Sequence, residues 1–205
     1  MPSNHSARPD SPKVAGLLLA AGGGRRLGGH PKALLVHEGR PLVEHALSSL
    51  RKGGCWPLHV VLGAAATEVR ARADLGDCVV SENPDWQEGM GSSLRVGLAA
   101  LADGGCDAAL VSLVDQPGIG PDAVARVRAA YRSPQSLVAA SYGGRRGHPV
   151  LFGAARWPDI TATALGDRGA RDHLTRHSAD ITLVECADIA EPYDIDVPAD
   201  LDRLR

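Results

Sequence analysis

Aromatic side chains are scarce in this chain: three tryptophans, three tyrosines and one phenylalanine make up 3% of the residues. A protein that stacks single-stranded bases on aromatic platforms needs more of them. A basic excess is missing too, since 22 lysines and arginines face 24 aspartates and glutamates for a formal net charge of -2. Neutralising a phosphate backbone needs the opposite balance, so the charge argues against nucleic acid and fits small ligands. No apolar run approaches the roughly 20 residues that span a membrane. The opening "MPSNHSARPDSP" lacks the apolar stretch of a signal peptide. Residues 1–12 are therefore expected to be a disordered tail on a cytoplasmic protein. Cys55, Cys78, Cys106 and Cys186 have no Cys-x-x-Cys spacing. They are expected to be small buried hydrophobes in a reducing compartment.

What is present is enough apolar material for one cored domain over residues 13–205, with 44% hydrophobic residues. Val14–Ala20 is a continuous apolar run ending in glycine, the mark of a buried parallel strand. Helix and strand signals then alternate. Pro41 opens a helix that Gly53-Gly54 stops, Leu58–Leu62 reads as a strand, and Thr67 opens a short helix. Residues 78–81 read as a strand, and Ser92 or Ser93 is placed to cap a helix carrying Leu94, Leu98 and Leu101 on one face. A strand over 108–114, a helix over 121–131 and a strand over 137–140 follow. "SYGGRRGHPVLF" reads as a strand, a turn and a returning strand, so part of the sheet is expected to be antiparallel. Helices near Ala154 and over 168–177, and a strand over 181–185, come next. "YDIDVPADLDRL" reads as a short strand giving way to a helix, with Asp194 and Asp196 on opposite sides and one turned inward. The sum is an α/β domain with a mostly parallel, mixed sheet.

The stretch "LLLAAGGGRRLGGHPKALL" matches neither common phosphate loop. A Walker A loop requires Ser or Thr after its lysine, and Ala33 follows Lys32. The dinucleotide fingerprint needs a third glycine where Leu27 stands, and a helix directly after the loop. Gly22, Gly24 and Gly28 nonetheless let backbone N–H groups wrap an anion. Arg26 and Lys32 add two positive charges, matching in scale a triphosphate of about four negative charges. Arg25 is expected to be solvated. Asp115 follows a buried strand, at the carboxyl edge where open α/β sheets bind ligands. Together with a carboxylate from the C-terminal "YDIDVP", it suggests a magnesium bridge to phosphate oxygens.

Other groups point nowhere so definite. His173 and His177 lack the glutamate of a zinc-protease helix and are expected on a solvated face. Ser92 has no Gly-x-Ser-x-Gly elbow. Arg145 and Arg146 could meet a ligand's phosphate, and His148 could touch the same ligand.

In "LLLAAGGGRRLGGHPKALL", "NPDWQEGMGSSLRVGLAAL", "LVSLVDQPGI", "GHPVLF", "GDRGAR" and "YDIDVPADL", the chain resembles the MobA-like NTP transferases. Within them it is similar to the molybdenum cofactor cytidylyltransferases. The resemblance implies a three-layer α/β/α, Rossmann-like nucleotidyltransferase fold. It implies nucleotide binding by Leu19, Ala20, Ala21, Gly22, Gly23, Gly24, Arg26, Lys32, Ser93 and Asp115. Lys32, Arg26 and Asp115 would be catalytic, with Mg2+ on Asp115 and Asp196 and with Asp194 in reserve. The implied reaction moves CMP from CTP to the phosphate of molybdopterin and releases pyrophosphate. GTP in place of CTP, another phosphorylated acceptor, or a non-catalytic molybdopterin carrier are the alternatives. A molybdoenzyme or a cofactor-insertion chaperone is the expected protein partner.

Overall fold

β1 (Val14–Ala20) is buried along its whole length, which is why its sequence is a continuous apolar run and not an alternation. The computed structural model describes residues 11–205, so nearly all of the expected 1–12 tail lies outside the described residues. After the glycine loop, a small ribbon of β2 (Val36–His37) and β3 (Arg40–Pro41) leads into α1 (Leu42–Lys52). Next come β4 (Leu58–Leu62), α2 (Ala66–Arg72), β5 (Val79–Glu82), α3 (Met90–Leu101), β6 (Ala108–Leu113) and α4 (Pro121–Ala129). The antiparallel pair β7 (Leu137–Tyr142) and β8 (Arg145–Gly153) precedes α5 (Trp157–Thr163), α6 (Arg171–Arg176) and β9 (Thr182–Glu185).

The seven-stranded sheet has the order β5-β4-β1-β6-β8-β7-β9, and only β8 runs against the rest. Successive β1 side chains feed two separate cores. Leu18 and Ala20 pack with Leu42, Leu47, Leu50 and Val124 on the side of α1 and α4. Leu17 and Leu19 pack with Leu94, Leu98 and Ile160 on the side of α3 and α5. That split is the three-layer α/β/α arrangement. Glycines set how closely the layers meet: a Cβ at Gly97 would come within 2.6 Å of the Leu17 side chain, and one at Gly53 within 2.3 Å of Val124. Among the described residues, no helix is long and apolar enough to cross a membrane. The four cysteines are free, and Cys55, Cys106 and Cys186 are buried.

Three local expectations are corrected. α3 begins at Met90 with Gly89 as its N-cap, so Ser92 and Ser93 lie inside its first turn. Residues 193–197 join no sheet, and a 3-10 helix, Pro198–Leu204, follows. His173 is fully buried with its ring 4.5 Å from that of His177, not on a solvated face. Leu174 and Ile160 belong to the same core cluster, and that packing draws α6 inward.

Candidate active site

β1 and β6 pair in parallel as far as Leu19 opposite Leu113, so both strands deliver their following loops to one sheet edge. The amides of Leu27 and Gly29 both fold back on the Gly24 carbonyl, at 2.8 and 3.1 Å. This makes the glycine run a tight loop, and Gly24 (φ +59°) and Gly28 (φ +73°) supply left-handed backbone that other residues resist. Leu27, standing where a dinucleotide loop would have glycine, is buried and pins the loop to the α1 side of the core. Gly22, Gly23 and Gly24 are left lining a cavity of about 600 Å3.

Lys32, from the turn after this loop, ends between two carboxylates. Its Nζ donates to Asp115 Oδ2 at 2.6 Å and to Asp196 Oδ1 at 2.5 Å. Burial alone would lower the Lys32 pKa; the charge of Asp115 and the hydrogen bonds to both carboxylates outweigh it and hold the pKa above its ordinary value. Arg26 is exposed, its guanidinium 3.9 Å from Asp196. Arg25 is exposed as expected, with its guanidinium over the Trp86 ring, 5.9 Å from the centroid.

The C-terminal segment reaches the site through its backbone. Ile195 N–H donates to the Asp115 carbonyl at 2.9 Å, and Glu191 N–H to that of Gly118 at 3.2 Å. Gly118 permits this approach, since a Cβ there would stand 2.3 Å from the Glu191 carbonyl oxygen. Asp194 and Asp196 do not face opposite ways. Residues two apart in extended backbone share a side; Ile195 between them is fully buried, and both aspartates line the cavity. Asp194 accepts a hydrogen bond from Gln116 Nε2 at 2.8 Å. Burial raises its pKa, the charges of Asp115 and Asp196 add to that, and Gln116 opposes it.

Leu19, Ala21, Ser93 and Asp115 line the same cavity, whereas Ala20 points into the core on the α1 side. Alternate β1 residues face opposite sides of the sheet, so the Ala20 side chain does not line the cavity. Residues not singled out in the sequence complete the site. Asn83, just past β5, donates from Nδ2 to Ser92 Oγ (2.8 Å) and Ser93 Oγ (3.0 Å), fixing the start of α3. Trp86 backs the loop, and a Cβ at Gly23 would touch its ring at 3.0 Å. The Asn-Pro-Asp-Trp run directly after a strand at this edge was the available signal.

A second cavity of about 630 Å3 adjoins the first, sharing Leu19, Met90, Leu113, Asp167 and Asp194 with it. Arg145, Arg146, Arg168 and Arg171 line it, over apolar walls that include Val150 and Phe152. His148 is there too, and burial pushes its pKa down to about 4. Glu185 fastens the Gly143-Gly144 turn that leads into Arg145 and Arg146 on β8, accepting from Gly143 N–H at 3.1 Å and Ser141 Oγ at 2.9 Å.

No cluster of three or more metal-ligating side chains occurs among the described residues. The donor set is Asp115 and Asp196, two carboxylates converging on one cationic nitrogen. That set fits magnesium or manganese, which take one or two carboxylates and complete their shell with water and phosphate oxygens.

Residues 16–181 match the MobA-like NTP transferase domain. The chain belongs to that family. As a MobA-like NTP transferase it is an NTP-dependent nucleotidyltransferase. It is 41% identical over 202 residues to a nicotine blue oxidoreductase of Paenarthrobacter nicotinovorans, covering 95% of this chain and 98% of that one. It is 32% identical over 203 residues to a molybdenum cofactor guanylyltransferase of Acidiphilium cryptum, covering 96% of each. Among solved structures, it resembles the Mycobacterium sp. strain JC1 homologue of Mycobacterium tuberculosis Rv0371c (TM-score 0.80, 31% identity, 94% of each chain). It also resembles Rv0371c in complex with manganese (TM-score 0.71, 27% identity, 94% of this chain and 97% of that one).

Proposed function

We propose that this MobA-like enzyme transfers CMP from CTP to the terminal phosphate of molybdopterin and releases pyrophosphate. The observation that carries the reading is the junction of two cavities: a glycine loop with Lys32 and paired aspartates opens into a pocket lined by four arginines. The first suits a triphosphate. The second suits a flat acceptor bearing a phosphate, since arginine binds phosphate oxygens two at a time.

The backbone of Gly22–Gly24 would wrap the triphosphate, with Arg26 holding its outer phosphates. Ser93 would border the nucleoside. The acceptor's phosphate oxygen, already ionised at neutral pH, attacks the α-phosphorus. A new phosphorus–oxygen bond forms as the bond from the α-phosphorus to the bridging oxygen breaks, and pyrophosphate leaves. No general base is required, so catalysis rests on alignment and charge. Lys32 neutralises charge growing on the leaving pyrophosphate. Asp115 and Asp196 would hold a divalent cation, magnesium or manganese, which when bound supplies positive charge to the phosphate oxygens. Arg145 and Arg146 would orient the acceptor.

Cytidine as the base rests on the Leu19-Ala20-Ala21-Gly22 run. The guanylyltransferase among the relatives supports GTP as the alternative. Pyrophosphate release measured with Mg2+, molybdopterin and each NTP in turn separates them, and no release with any NTP sinks both. A second reading is favoured by the 41% identical relative, an oxidoreductase by name. In that reading the arginine-lined pocket holds the redox substrate. Loss of 340 nm absorbance from NADH or NADPH with nicotine blue, in the absence of any NTP, would favour it.

A further inference from the structure

We infer that Lys32 stands in the position of the divalent cation, so that metal enters the site only together with the triphosphate that draws Lys32 away. The inference rests on the nucleotidyl-transfer reading and adds a binding order to it.

The ammonium nitrogen lies 2.6 Å from Asp115 and 2.5 Å from Asp196, and the Lys32 side chain is only 14% exposed. Lys32 therefore fills the gap between the carboxylates and does not extend along the glycine loop. A cation held by the same two oxygens must take its place, because two positive centres within one such gap repel strongly at reduced dielectric. The displaced ammonium needs another anion. Asp194, in the same cavity, offers a single carboxylate whose Oδ1 already accepts from Gln116, whereas a triphosphate offers several negative charges. The anion that fits is the triphosphate on the Gly22–Gly24 loop, which shares a cavity with Lys32.

A free divalent ion must thus evict Lys32 with at most the Asp194 carboxylate to receive it. A triphosphate without metal pulls Lys32 off and leaves two carboxylates facing phosphates with no cation between them. The metal–nucleotide complex avoids both penalties by exchanging partners: metal to the aspartates, Lys32 to the phosphates. The arrangement links the two affinities reciprocally.

The test is free Mn2+ binding to the full chain, read by electron paramagnetic resonance, in wild type, Lys32→Met, Lys32→Gln and Lys32→Arg. Circular dichroism checks that each variant is folded, and the Met and Gln variants substitute for one another if one is not. Removing the ammonium is expected to tighten free Mn2+ binding on the order of tenfold or more, while Lys32→Arg stays within about threefold of wild type. Arg26→Met removes a nearby charge without emptying the gap and is expected to change binding by less than about threefold. Equal or weaker Mn2+ binding in both neutral variants, with Mn2+·CTP still bound by wild type, overturns the lock and leaves the transfer reading standing. Mn2+ bound by no protein, with or without CTP, overturns the metal reading and the lock together.

Discussion

A Cβ on Gly24 would stand 2.0 Å from the carbonyl oxygen of His30, and Gly24 has a φ of +59°. The loop closes on itself at this point, and only a residue without a side chain lets it close. Gly24→Ala adds a left-handed penalty of about 1–2 kcal/mol and a contact that must be relieved by opening the loop. Nucleotide affinity by calorimetry is expected to fall on the order of tenfold or more, with a smaller change in Tm. Unchanged affinity would show that the loop does not shape the triphosphate site.

Asp115 meets Lys32 through its side chain and Ile195 through its carbonyl, so it joins three distant parts of the chain. Asp115→Ala keeps the backbone contact and removes the carboxylate. Pyrophosphate release is expected to be abolished while circular dichroism stays that of wild type. Wild-type-like turnover would remove the metal assignment.

Arg145 and Arg146 open β8, directly after a turn fastened by Glu185, and line the second cavity but not the first. Arg145→Ala and Arg146→Ala are expected to raise KM for the acceptor on the order of tenfold, leaving KM for the NTP unchanged. A rise in the NTP's KM instead would place the acceptor elsewhere.

His148 is held at a pKa of about 4, from an ordinary 6.5, by burial against charging. The unfolded chain binds this proton first as pH falls. The stability His148 contributes is therefore full above about pH 6.5 and is lost as pH falls towards 4. Its imidazole C–H signals should show no titration between pH 5.5 and 8. His148→Gln should remove part of the fall in Tm between pH 6.5 and 4. Titration of His148 near 6.5 would contradict the burial argument.

Much of the fold was legible because its signals are local. Val14–Ala20 and Leu58–Leu62 are continuous apolar runs because both faces of a central parallel strand are covered. Gly53 marks the end of α1 because Val124 leaves no room there for a side chain. The C-terminal segment misled, since "YDIDVP" alternates like a strand while its backbone bonds to the loop after β6 through Ile195 and otherwise locally, with Asp196 and Val197 N–H donating to Asp200. The start of α3 misled for a related reason. Ser92 and Ser93 are good capping residues, but Asn83 takes them as hydrogen-bond partners and Gly89 opens the helix.

The alternating α/β elements, the glycine loop that cannot be a Walker A or dinucleotide loop, and the placing of Asp115 at the same sheet edge are written in local chemistry. Those follow from side-chain period, glycine's backbone freedom and strand order, all readable within short windows. Only the tertiary structure decided that Asp194 and Asp196 share one side, that His173 is buried, and that Lys32 lies between its two carboxylates. Lys32 and Asp196 are 164 residues apart, and their contact exists because the Asp115 carbonyl captures the Ile195 amide. A hydrogen bond between such distant segments leaves no periodicity in either, so nothing short of the folded chain could reveal it.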